Sequence, residues 1–160
     1  MLLAIDSGNT NAVFAVYDGD MLRASWRVST NARRTADEYA VWLTQLMALA
    51  ELARTDIDAI IIANVVPEAG FNLQALCHDY LNCEPLIVGT PACRLGIAVD
   101  VDMPPESVGA DRVANAVAAG DRHVTPLMVV DFGTATNFDI VRMCSQTQDL
   151  ERGRRIVGQA

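Results

Sequence analysis

Short apolar runs separated by turn residues predict that the chain begins with a sheet. Residues 2–6, 12–17 and 22–28 each form a run typical of a strand. Asp18-Gly19-Asp20, between the second and third runs, is a strong hairpin signal. The order of these runs and turns predicts three antiparallel strands.

The next stretch of sequence changes to helical spacing. Thr35, followed three residues later by Glu38, predicts a capping box at the start of a helix. The apolar stripe of this helix has the spacing of a core face and consists of Tyr39, Trp42, Leu43, Leu46, Met47 and Ala50. Residues 58–66 are almost purely apolar and predict a buried, parallel strand.

A second helix is predicted over residues 68–81, and a short buried strand over 85–89. In this helix His78 is expected at the surface. The side chains expected to face the core are Phe71, Ala75, Leu76 and Tyr80. Strands joined by helices indicate an α/β layer structure.

The second half of the chain is less regular. Residues 90–106 contain four Pro or Gly residues and no clear period, which predicts a connection between lobes. A helix is expected over 107–122, followed by strands at 127–130 and 138–141. The Ala-rich face of that helix is Ala114, Ala116, Val117, Ala118 and Ala119.

The last twenty residues are rich in Arg and Gln and have no apolar period. Such a segment buries too little surface to offset the cost of ordering, so we expect it to be frayed or poorly packed. The strand at 138–141 would then keep an unpaired edge that invites association. The expected organisation is a first lobe at 1–90, the start of a second lobe at 91–141, and an atypical tail at 142–160.

Two of the strands end in similar acidic turns. The first strand runs into Asp6-Ser7-Gly8-Asn9-Thr10-Asn11, and the strand at 127–130 runs into Asp131-Phe132-Gly133-Thr134-Ala135-Thr136-Asn137. Glycine lets backbone N–H groups approach an oxyanion, and Thr and Asn add neutral donors. A carboxylate repels a phosphate unless a cation such as Mg²⁺ bridges them. The pattern favours two turns that together hold the phosphates of a nucleotide, although ordinary hairpin turns use the same residues.

Composition restricts the class of partner. The chain has 160 residues, 51% of them hydrophobic, and a formal net charge of −8. An acidic surface argues against nucleic acid and anionic membranes as partners, but not against ATP held by local donors and a metal ion.

The four cysteines show neither zinc-ligand spacing nor paired histidines, and we interpret them as reduced thiols: Cys77, Cys83, Cys93 and Cys144. No run reaches the length of a membrane span, and the N-terminus lacks a basic signal-peptide region. These features predict a cytoplasmic protein.

Three ordered motifs resemble those of type III pantothenate kinases, in the actin, hexokinase and Hsp70 ATPase superfamily. They are the turn beginning at Asp6, the segment Gly109-Ala110-Asp111-Arg112 with Asn115 after it, and the turn beginning at Asp131. The resemblance covers residues 1 to about 141. It implies ribonuclease-H-like (actin-like ATPase) lobes, each a mixed sheet flanked by helices, with ATP in the cleft.

The resemblance also implies an activity: ATP-dependent phosphorylation of pantothenate, the first step of coenzyme A synthesis, by a homodimer that uses Mg²⁺ and K⁺ or NH₄⁺. ATP would be bound by Asp6, Ser7, Gly8, Asn9, Thr10, Asn11, Ala12, Val13, Gly133 and Thr134. Asp6 would hold Mg²⁺ through water, and Asp131 would hold the monovalent cation. Pantothenate would be bound by Gly109, Ala110, Asp111 and Arg112, with Asp111 as the catalytic proton acceptor.

The residues themselves are compatible with these roles. Asp111 is expected near a helix N-terminus, which favours its ionised form and makes it a weak base. A weak base is adequate for phosphoryl transfer, because the loose transition state lets the hydroxyl proton leave late. Arg112 could make a two-pronged contact with the pantothenate carboxylate. Spacing alone equally allows a capping Asp and a surface Arg.

The sequence departs from the family in three places. Asn137 replaces the usual Thr, residues 99–104 lack the Tyr often found before Gly109, and the glycine-rich adenosine loop and the rest of the second lobe are missing. A shifted reading frame or a partial gene would explain an incomplete second lobe, and we expect a weak or inactive kinase. The alternatives are another kinase of the superfamily, acting on acetate or a sugar, and a non-catalytic module that binds nucleotide or dimerises.

Overall fold

The structure is a computed structural model that describes residues 1–100, 104, 107–133, 136–143 and 154–158. The chain divides into two units, Met1–Val88 and Gly89–Ala160. Each unit contains its own sheet.

The sheet of the first unit has five strands in the order β3-β2-β1-β4-β5. Their bounds are β1 Leu2–Ser7, β2 Asn11–Asp18, β3 Met21–Ser29, β4 Ala59–Asn64 and β5 Pro85–Ile87. β1, β2 and β3 pair antiparallel, whereas β4 pairs parallel to both β1 and β5. The predicted antiparallel start and the predicted parallel strand are therefore confirmed.

Helices α1 (Ala36–Leu49) and α2 (Pro67–Ala75) belong to this unit, and a wider π-helical turn, Leu76–Tyr80, continues α2. The predicted capping box at the start of α1 is confirmed. The Thr35 hydroxyl accepts from the Glu38 N–H at 3.3 Å, and the Thr35 N–H donates to Glu38 Oε2 at 2.8 Å. Two N–H groups at the helix start are thereby satisfied.

The core of the first unit lies on one face of its sheet. Every second residue of β1, β2 and β4 points to this face, because side chains alternate along a strand. The largest fully buried side chains are Leu3, Ile5, Phe14, Val16, Ile60 and Ile62 from the strands, with Tyr39, Leu43, Met47, Leu73 and Leu76 from the helices. Burying such side chains contributes about 1.5–3 kcal/mol each.

The predicted inward face of α2 is wrong at Phe71, which is 79% exposed. The buried positions in this region are Ala69, Leu73, Leu76 and Cys77. Because consecutive helical residues are about 100° apart, Phe71 lies on the opposite side of the helix from Leu73. His78 is exposed, as predicted, and its Nε2 lies 3.3 Å from Glu84 Oε2.

The second unit has a four-stranded sheet in the order β6-β9-β8-β7 and one helix, α3 (Ala110–Arg122). The strands are β6 Ile97–Asp100, β7 Leu127–Phe132, β8 Thr136–Met143 and β9 Arg154–Gly158. β8 pairs antiparallel with both β7 and β9, and β6 pairs parallel with β9.

Three expectations for this unit are wrong. Residues 97–100, expected to lie in the connection between lobes without a strand, form β6, and part of the tail expected to be frayed or poorly packed forms β9. Since β9 pairs with β8, that strand has a neighbour on each side rather than an unpaired edge. The three errors have one cause: β6 and β9 are short strands that form through pairing with strands distant in sequence, and local sequence signals do not report such pairing.

The expected Ala-rich face of α3 is also only partly right. Ala116 is buried, but Ala118 is exposed. The buried positions follow helical spacing from the first residue of the helix: Ala110, Val113, Ala116 and Gly120. Packing thus follows the i, i+3, i+6 and i+10 positions rather than the densest run of alanines.

Candidate functional site

The first acidic turn joins two antiparallel strands of the first unit. β1 ends at Ser7 and β2 begins at Asn11, so Gly8, Asn9 and Thr10 form the connection. In the ladder Asp6 lies opposite Val13 and Ser7 lies opposite Ala12. The eight residues predicted to form the first ATP loop, from Asp6 to Val13, are therefore contiguous around one turn.

Four carbonyl oxygens of this turn accept hydrogen bonds from the protein. Ser7 O accepts from Val65 N at 3.0 Å, and Asn11 O accepts from Gly8 N at 3.0 Å. Thr30 supplies the other two bonds, from its hydroxyl to Gly8 O at 2.6 Å and from its N–H to Thr10 O at 2.9 Å. Acceptor oxygens that are already bonded repel a phosphate less, so this arrangement suits an anion near the turn.

The two side chains at the end of β1 have different surroundings. Asp6 is exposed, whereas Ser7 is 0% exposed on the core face. No hydrogen-bond partner for the Ser7 hydroxyl is found among the described residues. An exposed carboxylate at a strand end is accessible to a hydrated cation, while the Ser7 side chain faces the protein interior.

Gly8 is required sterically rather than for a left-handed backbone. A Cβ at this position would lie 3.3 Å from the carbonyl oxygen of Asn11, which is a tight contact. That oxygen is also held by the Gly8 N–H, so it has little room to move. A side chain at position 8 would therefore distort the turn.

Sequence reasoning missed the residues that support the first turn. Thr30 follows β3, and Val65 follows β4, far from the turn in sequence. Asn64 holds the connection between β4 and α2, since its side chain donates to Val66 O at 2.8 Å and accepts from Val66 N at 3.0 Å. Only the strand pairing that brings β3 and β4 beside the turn could have identified these residues.

The second acidic turn also joins two antiparallel strands, β7 and β8, in the second unit. Asp131 lies opposite Asn137, and Phe132 lies opposite Thr136. Asp131 is half-buried, whereas Phe132 is 82% exposed. Gly133 is exposed in the turn, and Thr134, predicted to contact ATP, lies outside the described residues.

The predicted pantothenate motif lies at the start of α3. Gly109 immediately precedes the helix, and Ala110 is its first, buried residue. Asp111 and Arg112 are half-buried in the first turn, where the Arg112 N–H donates to Asp111 Oδ1 at 2.7 Å. The helix dipole favours the negative charge of Asp111 and disfavours the positive charge of Arg112.

The charge of Arg112 is compensated by Asp139 on β8. Arg112 Nη2 lies 2.5 Å from Asp139 Oδ1, and Arg112 Nε lies 3.1 and 3.2 Å from the two carboxylate oxygens. The Asp139 side chain is only 2% exposed. The hydrogen bond to Asp139 raises the pKa of Arg112, so this arginine stays charged.

Sequence reasoning also missed Asp139, which lies in the second unit. It lies in an apolar run, Phe138-Asp139-Ile140-Val141, where its charge could have been noticed as unusual. In the second unit the structure thus brings Asp139 to the predicted motif at Asp111 and Arg112.

Other features of the described residues do not add to these sites. No group of three or more His, Cys, Asp or Glu side chains suited to a metal ion occurs within the described ranges. A surface groove of about 340 Å³ in the first unit is lined by other residues: Ala40, Val41, Thr44, Gln45, Arg54 and Tyr80. Burial raises the pKa of the Cys77 thiol to about 12. Among the described helices, none has both the length and the apolar character needed to cross a membrane.

Comparison with a solved structure identifies the class of fold. YeaZ from Pseudomonas aeruginosa is similar, with a TM-score of 0.50 and 14% sequence identity, over 99% of this chain and 64% of that one. At this identity the likeness concerns the fold alone. Together with the mixed sheet flanked by helices in the first unit, it confirms the predicted α/β class of ribonuclease-H-like (actin-like ATPase) lobes.

Comparison of the sequence identifies the family. The family model of type III pantothenate kinase matches residues 2–147. Proteins named type III pantothenate kinase from Rhodospirillum rubrum and Paramagnetospirillum magneticum are 61% and 60% identical over 141 residues, and the one from Zymomonas mobilis is 54% identical. These matches cover 88% of this chain. The chain belongs to the type III pantothenate kinase family, as the three motifs predicted, and spans about half the length of the curated relatives it matches.

Proposed function

We propose that the protein phosphorylates pantothenate with ATP to give 4′-phosphopantothenate, the first step of coenzyme A synthesis. Membership of the family, which is named for this kinase, is the observation that carries the proposal. It is supported by Gly109–Arg112 at the start of α3, where a carboxylate and a guanidinium occupy adjacent positions.

ATP would be held by backbone and side-chain donors of the two acidic turns. In the first unit these are Asp6, Ser7, Gly8, Asn9, Thr10, Asn11, Ala12 and Val13, and in the second unit Gly133 and Thr134. The hydrogen bonds that occupy the carbonyl oxygens around Gly8 support this role, because bonded acceptor oxygens repel a phosphate less. The Ser7 hydroxyl is buried, so Ser7 would contribute through its backbone.

The residues present fit the two cations that the resemblance to the family implies. Asp6 is an exposed carboxylate beside the first turn, which suits Mg²⁺ bound through water, since Mg²⁺ retains several water ligands. Asp131, half-buried beside the second turn, would hold K⁺ or NH₄⁺. When bound, Mg²⁺ would neutralise charge on the phosphates.

Pantothenate would be bound by Gly109, Ala110, Asp111 and Arg112. Asp111 would orient the hydroxyl and accept its proton as the catalytic base, and Arg112 would bind the carboxylate. Asp111 lies in the first turn of α3, where the helix dipole favours a negative charge.

A kinase assay with a panel of acceptors tests this proposal. Purified protein, MgATP and K⁺ are incubated with pantothenate, acetate or a hexose, and the products are identified by mass spectrometry. We expect phosphopantothenate alone, formed slowly, whereas phosphorylation of acetate or the hexose instead, or no product at all, would overturn the proposal.

A variant of Asp111 tests the mechanism in the same assay. Asp111→Asn should lower kcat by about 10²-fold or more, the usual contribution of a general base. The matched control is Asp121→Asn, an exposed carboxylate on the same helix, which should keep full activity. If Asp111→Asn binds pantothenate and turns it over like the control, Asp111 is not the base.

We further propose a cytoplasmic homodimer without nucleic-acid or membrane partners. The net charge of −8 supports the absence of polyanionic partners. One face of the β7–β8 hairpin is apolar and exposed, through Met128, Val130, Phe132 and Phe138, and this supports association. Light scattering on wild type and Met128→Glu tests it: we expect a dimer that weakens in the variant, and a monomeric wild type would overturn it.

A further inference from the structure

We propose that Asp139 is a positioning residue for pantothenate: it fixes the guanidinium of Arg112 so that the opposite edge of that group binds the pantothenate carboxylate. The inference rests on the proposed function and adds to the motif at 109–112 a residue from a different element, strand β8.

The geometry of the pair divides the guanidinium into two edges. Asp139 occupies the edge formed by Nε and Nη2, with N–O distances between 2.5 and 3.2 Å. A guanidinium has five N–H donors in one plane, so the end that carries Nη1 points away from Asp139. That end, with the outer hydrogen of Nη2, matches the two oxygens of a second carboxylate.

The two side chains of the pair differ in their exposure to solvent. The Asp139 side chain is 2% exposed and the Arg112 side chain is 20% exposed. The carboxylate therefore anchors the arginine from inside the unit, and the arginine reaches toward solvent from the first turn of α3. A ligand arriving from solvent would meet the guanidinium and not the buried carboxylate.

Stability alone does not account for this pair. Replacing a buried ion pair with apolar residues of similar volume is often neutral or stabilising, because both charges lose their hydration. Arg112 also lies at the helix end where the dipole disfavours a cation. These two unfavourable features are explained if the guanidinium must be held in one place for a ligand.

Fixing the arginine in advance would increase affinity for an anionic group. A free arginine side chain loses rotamer freedom when it binds, and the pair with Asp139 removes that cost before the ligand arrives. The predicted consequence is specific: Asp139 should affect recognition of the pantothenate carboxylate and neither ATP binding nor phosphoryl transfer.

Steady-state kinetics of Asp139→Asn test this consequence, with Asp121→Asn as the matched control. The second acceptor is pantothenol, in which a CH₂OH group replaces the carboxylate of pantothenate. For Asp139→Asn we expect the KM for pantothenate to rise about tenfold or more, as for loss of a charged hydrogen bond. The KM for ATP, kcat, and all constants for pantothenol should stay within about twofold of wild type.

A purely structural role for Asp139 gives a different result. Asp139→Asn would then lower the activity toward pantothenate and pantothenol alike, through a smaller folded fraction, and this would overturn the proposal. Circular dichroism of both variants reports whether they fold.

A measurement on the wild-type chain keeps the test valid if Asp139→Asn does not fold. The Arg112 Nε–H proton, observed by NMR, should exchange slowly with water and remain protected when pantothenate is added. Loss of this protection on binding would mean that Arg112 leaves Asp139 to reach the ligand, and would contradict the proposal. If wild type neither binds nor phosphorylates pantothenate, the proposed function fails, and the positioning role fails with it even where the Nε–H proton is protected.

Discussion

The hydroxyl of Thr30, at the end of β3, donates a 2.6 Å hydrogen bond to the carbonyl oxygen of Gly8 in the first acidic turn. The N–H of the same residue donates to Thr10 O at 2.9 Å. One residue from a neighbouring strand thus holds two carbonyl groups of the turn. The conformation of the proposed ATP loop depends on this contact between segments 22 residues apart.

Removal of the Thr30 hydroxyl should therefore weaken the turn. Thr30→Val keeps the shape and the backbone bond but leaves Gly8 O without its side-chain donor. We expect the free energy of unfolding to fall by about 1 kcal/mol and the affinity for ATP to fall severalfold, because the loop is no longer held in one conformation. Urea denaturation and calorimetric titration with ATP measure these two effects.

Thr55→Val is the control for this experiment, since Thr55 is exposed on the single 3₁₀ turn Arg54–Asp56 of the same unit. It should change neither quantity. Equal ATP affinity in Thr30→Val and wild type would show that the turn keeps its conformation without this bond, or that ATP binds elsewhere.

Removal of the Ser7 hydroxyl should not lower the free energy of unfolding, in contrast to removal of the Thr30 hydroxyl. The Ser7 hydroxyl is fully buried, and the described residues supply no hydrogen-bond partner for it. Ser7→Ala should leave the free energy of unfolding unchanged or raise it by up to about 1 kcal/mol, because an unsatisfied buried polar group is removed. The affinity for ATP should not change, since this side chain faces the core.

Urea denaturation checks the Ser7 prediction, with Ser29→Ala, an exposed serine of β3, as the control. A clear loss of stability in Ser7→Ala alone would indicate that the hydroxyl has a partner, such as an internal water molecule.

The sequence predicted those features that depend on neighbouring residues. The capping box of Thr35 and Glu38 is a three-residue signal, and it is confirmed. The strand runs of the first unit were likewise recognisable from local alternation and turn residues. Features that depend on distant partners were missed or wrong: among the described strands β6 pairs with β9 alone, and the hydrogen bonds of Thr30 and Asp139 cross between separate elements. The buried face of a helix was predicted wrongly where apolar residues lie on more than one side of it, as at Phe71.

The capping box leads to a prediction about pH. The pKa of Glu38 is lowered mainly because the Thr35 N–H donates to its carboxylate, with a further contribution from the Thr35 hydroxyl. A carboxylate whose folded-state pKa lies below its unfolded value stabilises the fold above the unfolded pKa. This contribution is lost as the pH falls through the lowered folded-state value.

Comparison of wild type with Glu38→Gln measures this contribution. At neutral pH the variant should be less stable than wild type, and the difference should shrink as the pH falls through the lowered folded-state pKa of Glu38, where the wild-type carboxylate becomes protonated. Glu51→Gln, which removes an exposed carboxylate outside the box, is the control for a general effect of charge. A difference that stays constant with pH would show that the charge of Glu38 does not stabilise the cap.

The pair of Arg112 and Asp139 gives the largest expected change in stability. Asp139→Leu leaves the Arg112 guanidinium in a partly buried position without its carboxylate. We expect a loss of about 3 kcal/mol, at the lower end for a broken buried pair because Arg112 can still reach solvent. The double variant, Arg112→Leu with Asp139→Leu, removes both charges and should recover most of that loss, although it should not bind pantothenate. Urea denaturation of wild type, the two single variants Asp139→Leu and Arg112→Leu, and the double variant gives the coupling free energy between the two residues. Additive effects of the two substitutions would mean that the ion pair contributes nothing to the stability of the fold. A double variant that binds pantothenate as tightly as wild type would show that Arg112 does not bind the substrate.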